Sequence, residues 1–213
     1  MYKSREVVLI TGKTGSGKSV LMKDLLLKQE RCIIFDSILE YPEQDPPFPA
    51  LFIYNYRDLI NYLINNQHKP YKIVFVPLQD PKSEIQLKTG ETLTIFELVC
   101  KVAYETLNNV TFAVEEIANF MNKNSCPLYF DKIIRLGRHS SISIACTTQR
   151  PADMHPNLKA QCTRFISFKQ HLPNDIEWIR QIIGDEAFAL KDLEAFVWGK
   201  PMLKDKHYKE YLL

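Results

Sequence analysis

Long apolar segments are missing from the 213-residue sequence, although 46% of its residues are hydrophobic. No stretch approaches the roughly 20 consecutive apolar residues that a membrane-spanning helix needs. The first ten residues also lack the layout of a signal peptide. We therefore expect no transmembrane segment and a protein that works, or is assembled, inside a cell. The length and composition suit one soluble α/β domain with a substantial core.

Cysteine is scarce and scattered. The five cysteines form no CxxC pair, and the five histidines form no cluster with ligand spacing. Cys32, Cys146 and Cys162 lie in or beside apolar runs that are typical of strands. An odd, dispersed set of this kind favours reduced thiols in a core over disulfides or a zinc site.

A large excess of basic charge is also absent. The 27 lysines and arginines nearly balance the 25 acidic residues, which leaves a net charge of +2. Proteins that bind nucleic acid through their overall charge are usually far more basic. Any binding of nucleic acid therefore has to depend on a local basic patch, or on the combined basic patches of several subunits.

Strand-like and helix-like segments alternate along the chain, without repeats or low-complexity tracts. Strands are predicted at residues 7–11, 31–36, 51–54, 71–76, 110–114, 141–148, 163–168 and, at a sheet edge, 195–198; helices are predicted at 18–28, 56–65, 91–107, 128–136 and 173–183; loops are predicted at 41–49 and 79–90. This order predicts an α/β fold in which helices flank a largely parallel central sheet. We expect a single domain over residues 1–213, with a core at about 5–200 and a C-terminal tail at 201–213.

Residues 12–19, GKTGSGKS, match the phosphate-binding pattern GxxxxGK[ST] between an apolar strand and an amphipathic helix. The glycines let the backbone curl so that its N–H groups surround a β-phosphate. Lys18 is expected to reach the β- and γ-phosphates, and the Ser19 hydroxyl to ligate Mg²⁺. The predicted ATP-binding residues are Gly12, Lys13, Thr14, Gly15, Ser16, Gly17, Lys18, Ser19 and Val20.

Two adjacent carboxylates end the apolar run at residues 110–114. ATP hydrolysis needs one acid for the magnesium shell and a second to polarise the attacking water. We assign Glu115 to the metal, through water, and Glu116 to the water; the alternative is a pair of acids favoured by a helix N-terminus. Aspartate is the common residue at the first position, so Glu115 is a departure. Gln149, just beyond another apolar strand, is expected to sense the γ-phosphate, the alternative being a glutamine that merely meets solvent.

The ordered motifs GKTGSGKS, IIFDSILEY, FAVEE, RLGRHSSISIACTTQRP and TRFISF resemble the HerA/FtsK superfamily of ATPases. The GRH element and the short chain are most similar to the viral genome-packaging branch of that superfamily. The resemblance runs from about residue 7 to residue 168. It implies a RecA-like P-loop fold of the additional-strand type, in which an extra strand separates the phosphate-loop strand from the acid strand.

The resemblance also implies a function: a Mg²⁺-dependent ATPase that forms a ring, usually a hexamer, and moves double-stranded DNA through its centre. A packaging enzyme would act with a capsid or viral membrane protein, in the host cytoplasm or on the virion. The alternatives are a cellular or plasmid translocase for conjugation or repair, and a slow nucleotide-dependent switch or scaffold. A neighbouring subunit would supply an arginine finger, for which Arg138 is the first candidate before Arg135 and Arg164; the alternative for each is a surface salt bridge.

Other features are assigned less closely. The candidates for DNA contacts are residues 119–127 with Lys123, residues 149–159 with Arg150 and Lys159, and residues 200–209; the alternative for each is an ordinary solvated charge. Asp36 and Glu40 match a DxxxEY feature of the HerA side of the superfamily, and we assign them no role. No HerA-type N-terminal β-barrel, membrane anchor or FtsK-type winged helix is expected, so DNA or capsid targeting would come from loops or from another protein.

Overall fold

A computed structural model describes residues 5–197 and 199–213 of the chain. The strands are β1 (Val7–Thr11), β2 (Arg31–Phe35), β3 (Leu51–Ile53), β4 (Tyr71–Phe75), β5 (Glu84–Gln86), β6 (Thr92–Thr94), β7 (Val110–Val114), β8 (Ile142–Thr148), β9 (Arg164–Phe168) and β10 (Tyr208–Leu212). The α-helices are α1 (Lys18–Leu27), α2 (Tyr56–Asn65), α3 (Ile95–Thr106), α4 (Leu128–Leu136), α5 (Pro156–Gln161) and α6 (Pro173–Ile183).

Eight of the strands form one sheet in the order β10-β9-β1-β8-β7-β2-β4-β3, and β5 pairs with β6 in a separate hairpin. Every pairing in the large sheet is parallel except that of β10 with β9. Strand β8 lies between β1 and β7, which confirms the expected additional strand between the phosphate-loop strand and the acid strand. The α/β fold class predicted from the sequence is confirmed.

Burial on both faces explains why the central strands are continuous apolar runs. All five residues of β1 and of β7 are buried, as in parallel sheets covered by helices on both sides. Phe35 on β2 packs edge-on against Phe75 and Phe96, with ring centroids 5.3 and 5.0 Å apart. These aromatic contacts are part of the core that packs against the middle of the sheet.

Three sequence predictions about local structure were wrong. Strand β5 lies within the segment predicted as an exposed loop, and helix α3 begins at Ile95 rather than at residue 91. The reason is local, because Thr94 and Glu97 form a reciprocal capping box that starts the helix after β6. The edge strand expected at residues 195–198 is not formed by residues 195–197, and Trp198 lies outside the described residues. Strand β10 closes that edge instead.

Strand β10 lies within residues 201–213, the segment expected to be a tail, and adds an antiparallel strand to the sheet. The division into core and tail stays a prediction. Among the helices of the described chain, none combines the length and apolar character needed to cross a bilayer.

Candidate active site

The carboxyl edge of the parallel sheet collects the residues that the sequence analysis singled out. Strands β1, β7 and β8 run in the same direction, so the segments that follow them emerge on one side of the molecule. These segments carry the phosphate loop, the acid pair and Gln149, respectively. These three segments are close together because their strands are neighbours in the sheet, although they are far apart in the sequence.

Glycines with positive φ angles shape the phosphate loop, most clearly Gly15 and Gly17. Gly15 has φ 75° and Gly17 has φ 99°, conformations that residues with a Cβ atom rarely adopt. At Gly17 an added Cβ would also lie 3.1 Å from the Phe196 ring and would displace the flexible end of the Met202 side chain. The loop therefore keeps a curled backbone, with the N-terminus of α1 opening directly after it. Such a curl is the anion cradle that a phosphate needs.

Lys18 is the buried cation of the site. Its side chain is 8% exposed, and its Nζ donates a hydrogen bond to the Lys13 carbonyl oxygen at 3.0 Å. Burial lowers the pKa of Lys18, and the carboxylates of Glu116, Glu115 and Glu40 oppose that shift. Lys18 thus lies within electrostatic reach of all three acids.

Glu115 is fully buried where β7 ends. Its Oε1 accepts a hydrogen bond from the Tyr41 hydroxyl at 3.1 Å, and its Oε2 accepts one from Thr147 Oγ1 at 2.7 Å. Burial raises the pKa of Glu115 to about 7, and the hydrogen bonds from Thr147 and Tyr41 oppose the shift. Each carboxylate oxygen keeps a second lone pair, which a metal-bound water could use.

Glu116 lies at a turn in the left-handed region, with φ 49° and ψ 65°. Its backbone N–H donates to Thr147 Oγ1 at 2.9 Å, and its Oε1 accepts from Thr148 Oγ1 at 3.2 Å and from the Gln149 N–H at 3.1 Å. The carboxylate is half-buried and lies against the end of β8. It is therefore held by the strand that separates it from the phosphate loop.

Gln149 connects the two sides of the site. Its backbone N–H contacts Glu116, and its side-chain Oε1 accepts a hydrogen bond from Thr14 Oγ1 of the phosphate loop at 2.8 Å. The side chain is exposed at the mouth of the cleft. A group in this position can respond to what lies between the loop and the acid pair.

These groups surround a single cleft of about 250 Å³, lined by Thr14, Gly15, Gly17, Lys18, Ser19, Val20, Ile38, Glu40, Glu115, Glu116, Thr147 and Gln149. The curled backbone and Lys18 fit a triphosphate, and the oxygen donors of Ser19 and Glu115 are the kind that Mg²⁺ prefers. Sequence reasoning missed Thr147 and Tyr41, and it gave Glu40 no role. Thr147 could have been found by strand alternation, since it precedes Gln149 by two residues.

The three arginine-finger candidates lie away from this cleft. Arg138 is exposed in the 3₁₀ turn before β8, and Arg164 begins β9, so both lie at the amino edge of the sheet. Arg164 pairs with Glu210, and Arg135 pairs with Asp131 at 2.6 Å. Within the described residues Arg138 has no carboxylate partner. None of the three reaches the phosphate loop of its own chain.

Two of the three segments that are candidates for DNA contacts lie next to each other in the structure. Lys123 and Arg150 line one surface cleft of about 330 Å³ together with the acidic side chains of Asp153 and Glu177. In the C-terminal segment three lysines are paired with acids: Lys204 with Glu210, Lys206 with Glu194, and Lys209 with Asp205.

The cysteines lie apart from the candidate active site. All five are free thiols; four are buried, and Cys126 is half-buried. Ligand atoms of Cys126, Asp131 and His155 come within 4.8 Å of one another, a grouping that sequence spacing did not reveal. However, Asp131 is already engaged by Arg135 and by Asn157, and the Asn157 N–H donates to His155 Nδ1.

Comparisons with known proteins agree with this geometry. No protein-family model matches the sequence. Over 126 residues the chain is 29% identical to the probable DNA double-strand break repair helicase HerA of Methanocaldococcus jannaschii. The match covers 56% of this chain but only 24% of that relative's length.

Solved structures match over nearly the whole chain. The genome-packaging NTPase B204 of Sulfolobus turreted icosahedral virus 2, in complex with ATP-gammaS, gives a TM-score of 0.70 at 19% identity, covering 99% of this chain and 93% of B204. Its AMP complex gives a TM-score of 0.69 at 21% identity, covering 99% and 94%. The chain thus has a RecA-like P-loop ATPase fold, which it shares with B204, and its sequence similarity to HerA agrees with the resemblance to the HerA/FtsK superfamily.

Proposed function

We propose that this chain is a Mg²⁺-dependent ATPase that uses hydrolysis to move double-stranded DNA, and that it packages a viral genome into a preformed capsid. One observation carries the proposal. The phosphate loop, the acid pair and Gln149 come from three separate segments, and they surround a single cleft. A slow switch or scaffold does not need a water-activating acid beside the triphosphate, so this arrangement favours hydrolysis.

Each residue of the cleft has a separate role in this proposal. The backbone of residues 12–20 and the Lys18 ammonium would bind the phosphates and neutralise their charge. Ser19 and, through water, Glu115 would hold Mg²⁺, which when bound draws charge from the phosphate oxygens. Glu116 would orient the attacking water and accept its proton. Gln149 would contact the γ-phosphate while keeping its link to Glu116.

Arg138 would complete the site of a neighbouring subunit. Its exposure and its lack of a carboxylate partner among the described residues support that role, because a finger has to be available to another chain. A ring, expected to be a hexamer, would place each Arg138 against the next subunit's cleft. Lys123 and Arg150, which share a cleft, are the first candidates for contacts to DNA phosphates.

Two observations bear on the biological setting. The fold match over 99% of the chain is to a viral packaging NTPase, which favours packaging with a capsid or viral membrane protein, in the host cytoplasm or on the virion. The sequence match to HerA favours the second candidate, a cellular or plasmid translocase for repair or conjugation. Both candidates predict an ATPase that duplex DNA stimulates.

The decisive experiment measures ATP turnover by the purified protein with and without linear duplex DNA. We expect turnover that duplex DNA increases, and a loss of about 10²- to 10⁴-fold in Glu116→Gln, because general-base catalysis contributes that much. This variant should still bind ATP, whereas Lys18→Ala should lose productive binding or turnover. Unstimulated, slow turnover at every protein concentration would favour the switch, and near wild-type turnover in Glu116→Gln would refute the role of Glu116.

A further inference from the structure

The segment after β2 is folded back by one buried carboxylate. Asp36 is fully buried at the end of β2; its Oδ1 accepts a hydrogen bond from the Glu40 N–H at 3.0 Å, and its Oδ2 accepts one from the Tyr41 N–H at 2.9 Å. Capping of this kind fixes a turn, because the carboxylate replaces the partners that the backbone would otherwise find in water. The turn carries Ile38 and Glu40 to the wall of the cleft and carries Tyr41 inward.

Tyr41 is the inward end of this segment. It is 3% exposed, and its ring packs beside Phe48 with a centroid distance of 6.2 Å. Its hydroxyl donates to Glu115 Oε1 at 3.1 Å. A buried phenol in a fixed ring position limits where its acceptor can lie, because a buried hydrogen bond is costly to leave unmade.

The chain of hydrogen bonds continues from Glu115 to Glu116. Thr147 Oγ1 donates its single hydrogen to Glu115 Oε2 at 2.7 Å, so its lone pairs remain for the Glu116 N–H, which lies at 2.9 Å. The direction of each bond is therefore defined. Tyr41 and Thr147 hold opposite oxygens of Glu115, and Thr147 in turn holds the Glu116 peptide.

The hydrogen bond to Thr147 stabilises the backbone of Glu116 in an unfavourable conformation. Its left-handed backbone conformation is unfavourable for a residue with a side chain, and it persists only where the surroundings hold it. The same conformation turns the Glu116 side chain toward Thr148 and Gln149. A small rotation at this residue would move the carboxylate relative to the phosphate loop.

We propose that Tyr41 and Thr147 are positioning residues for Glu116, Thr147 directly and Tyr41 through Glu115 and Thr147, and that the Asp36-capped turn exists to place Tyr41. The proposal rests on the proposed ATPase function, and it gives the DxxxEY motif a physical role. Neither Tyr41 nor Thr147 is a catalytic residue in this scheme. They fix the geometry of the water-activating acid.

The test removes single hydroxyls. Tyr41→Phe keeps the ring and its packing, and Thr147→Val keeps the shape of the side chain. In each variant we expect kcat to fall roughly 10- to 100-fold, the range seen when groups that orient a site are removed. KM for ATP should stay within about twofold, because the phosphate cradle is untouched. Thr147→Ser, which restores a hydroxyl, should recover most of kcat.

The matched control is Tyr54→Phe. It removes a phenol hydroxyl that donates to Glu43 on the surface, outside the chain from Tyr41 to Glu116. Its kcat should equal that of the wild type. A further readout, independent of turnover, is amide hydrogen exchange at Glu116 by NMR, which should accelerate in Tyr41→Phe and Thr147→Val but not in Tyr54→Phe.

The outcomes separate this proposal from the proposed function. Wild-type protein without ATPase activity overturns the proposed function and, with it, the catalytic meaning of the network. Active wild type together with unchanged kcat in Tyr41→Phe and Thr147→Val overturns only the positioning role. A rise in KM without a fall in kcat also overturns it, because that result assigns the hydroxyls to binding. Unchanged exchange at Glu116 in both variants contradicts the positioning role directly.

Discussion

The carboxylates at one edge of the central sheet and the arginines at the other make different kinds of contact. At the carboxyl edge, Asp36, Glu115 and Glu116 share hydrogen bonds with neighbouring side chains and backbone around a cleft. At the amino edge lie Arg5, Arg31, Arg138 and Arg164, because each occurs just before a parallel strand or at its start. Glu115 and Glu116 line the cleft, whereas most of the arginines at the amino edge hold parts of the chain together.

Three of the four arginines at the amino edge are engaged within the chain. Arg5 donates to the carbonyl oxygens of Ile133, Ile134 and Ile142 at distances of 2.6 to 2.9 Å. Arg31 donates to two backbone carbonyls, and Arg164 pairs with Glu210. Arg138 is the exception among the described residues of this edge. An unengaged guanidinium remote from its own cleft can take part in hydrolysis only in trans.

The sharpest way to test this contrast is Arg138→Ala. If Arg138 is the finger of a neighbouring site, turnover of the uniform variant should fall by about 10³- to 10⁵-fold, the contribution of such residues in well-studied systems. Mixing Arg138→Ala with Glu116→Gln subunits should restore part of the activity, measured as ATP turnover against mixing ratio. At some interfaces an intact acid pair would then meet an intact arginine.

Arg164→Ala is the matched control, because Arg164 lies at the same edge but is paired with Glu210. When Arg164→Ala is mixed with Glu116→Gln subunits, ATP turnover should not show the recovery expected of a variant that lacks the arginine finger. Recovery with Arg164→Ala, and none with Arg138→Ala, would mean that the finger is Arg164.

The contrast also shows what a sequence can predict. Strand bounds at β1 and β7 and helix bounds at α2, α4 and α6 follow from apolar periodicity, which burial against the sheet enforces. The meeting of the phosphate loop with the acid pair follows from strand direction once the sheet is parallel. The roles of Tyr41 and Thr147 do not follow, because their hydrogen bonds join residues 74 and 32 positions apart. Strand β10 was missed because its sequence, YKEYL, has only weak apolar character at an edge.

A smaller effect is expected from pH at the carboxyl edge. Folding raises the pKa of Glu115 from 4.5 to about 7, chiefly through burial, so the folded chain binds a proton more tightly than the unfolded chain. The resulting stability is complete below pH 4.5 and is lost as the pH rises through 7. Over that window the free energy of unfolding should fall by about 3 kcal/mol, at 1.36 kcal/mol per pKa unit.

Urea unfolding at pH 5 and pH 8, without nucleotide or Mg²⁺, measures this term. Glu115→Gln provides the comparison, because an amide keeps the shape of the side chain and does not titrate. The wild type should lose more stability than the variant between the two pH values. Equal losses would show that Glu115 is ionised in the folded protein throughout this range.

The smallest expected effect is a change in the free energy of unfolding caused by replacing arginines at the amino edge of the sheet. Arg5 joins the end of α4 to the start of β8 by donating to the carbonyl oxygens of Ile133, Ile134 and Ile142. Arg5→Ala should lower the free energy of unfolding by about 1–3 kcal/mol, because it removes hydrogen bonds from a charged donor. Arg138→Ala, by contrast, should change stability by less than about 0.5 kcal/mol, as is usual for an exposed residue without such contacts. Paired urea titrations of the two variants decide the matter: equal destabilisation would place Arg138 among the structural arginines and remove the main reason for considering it a finger.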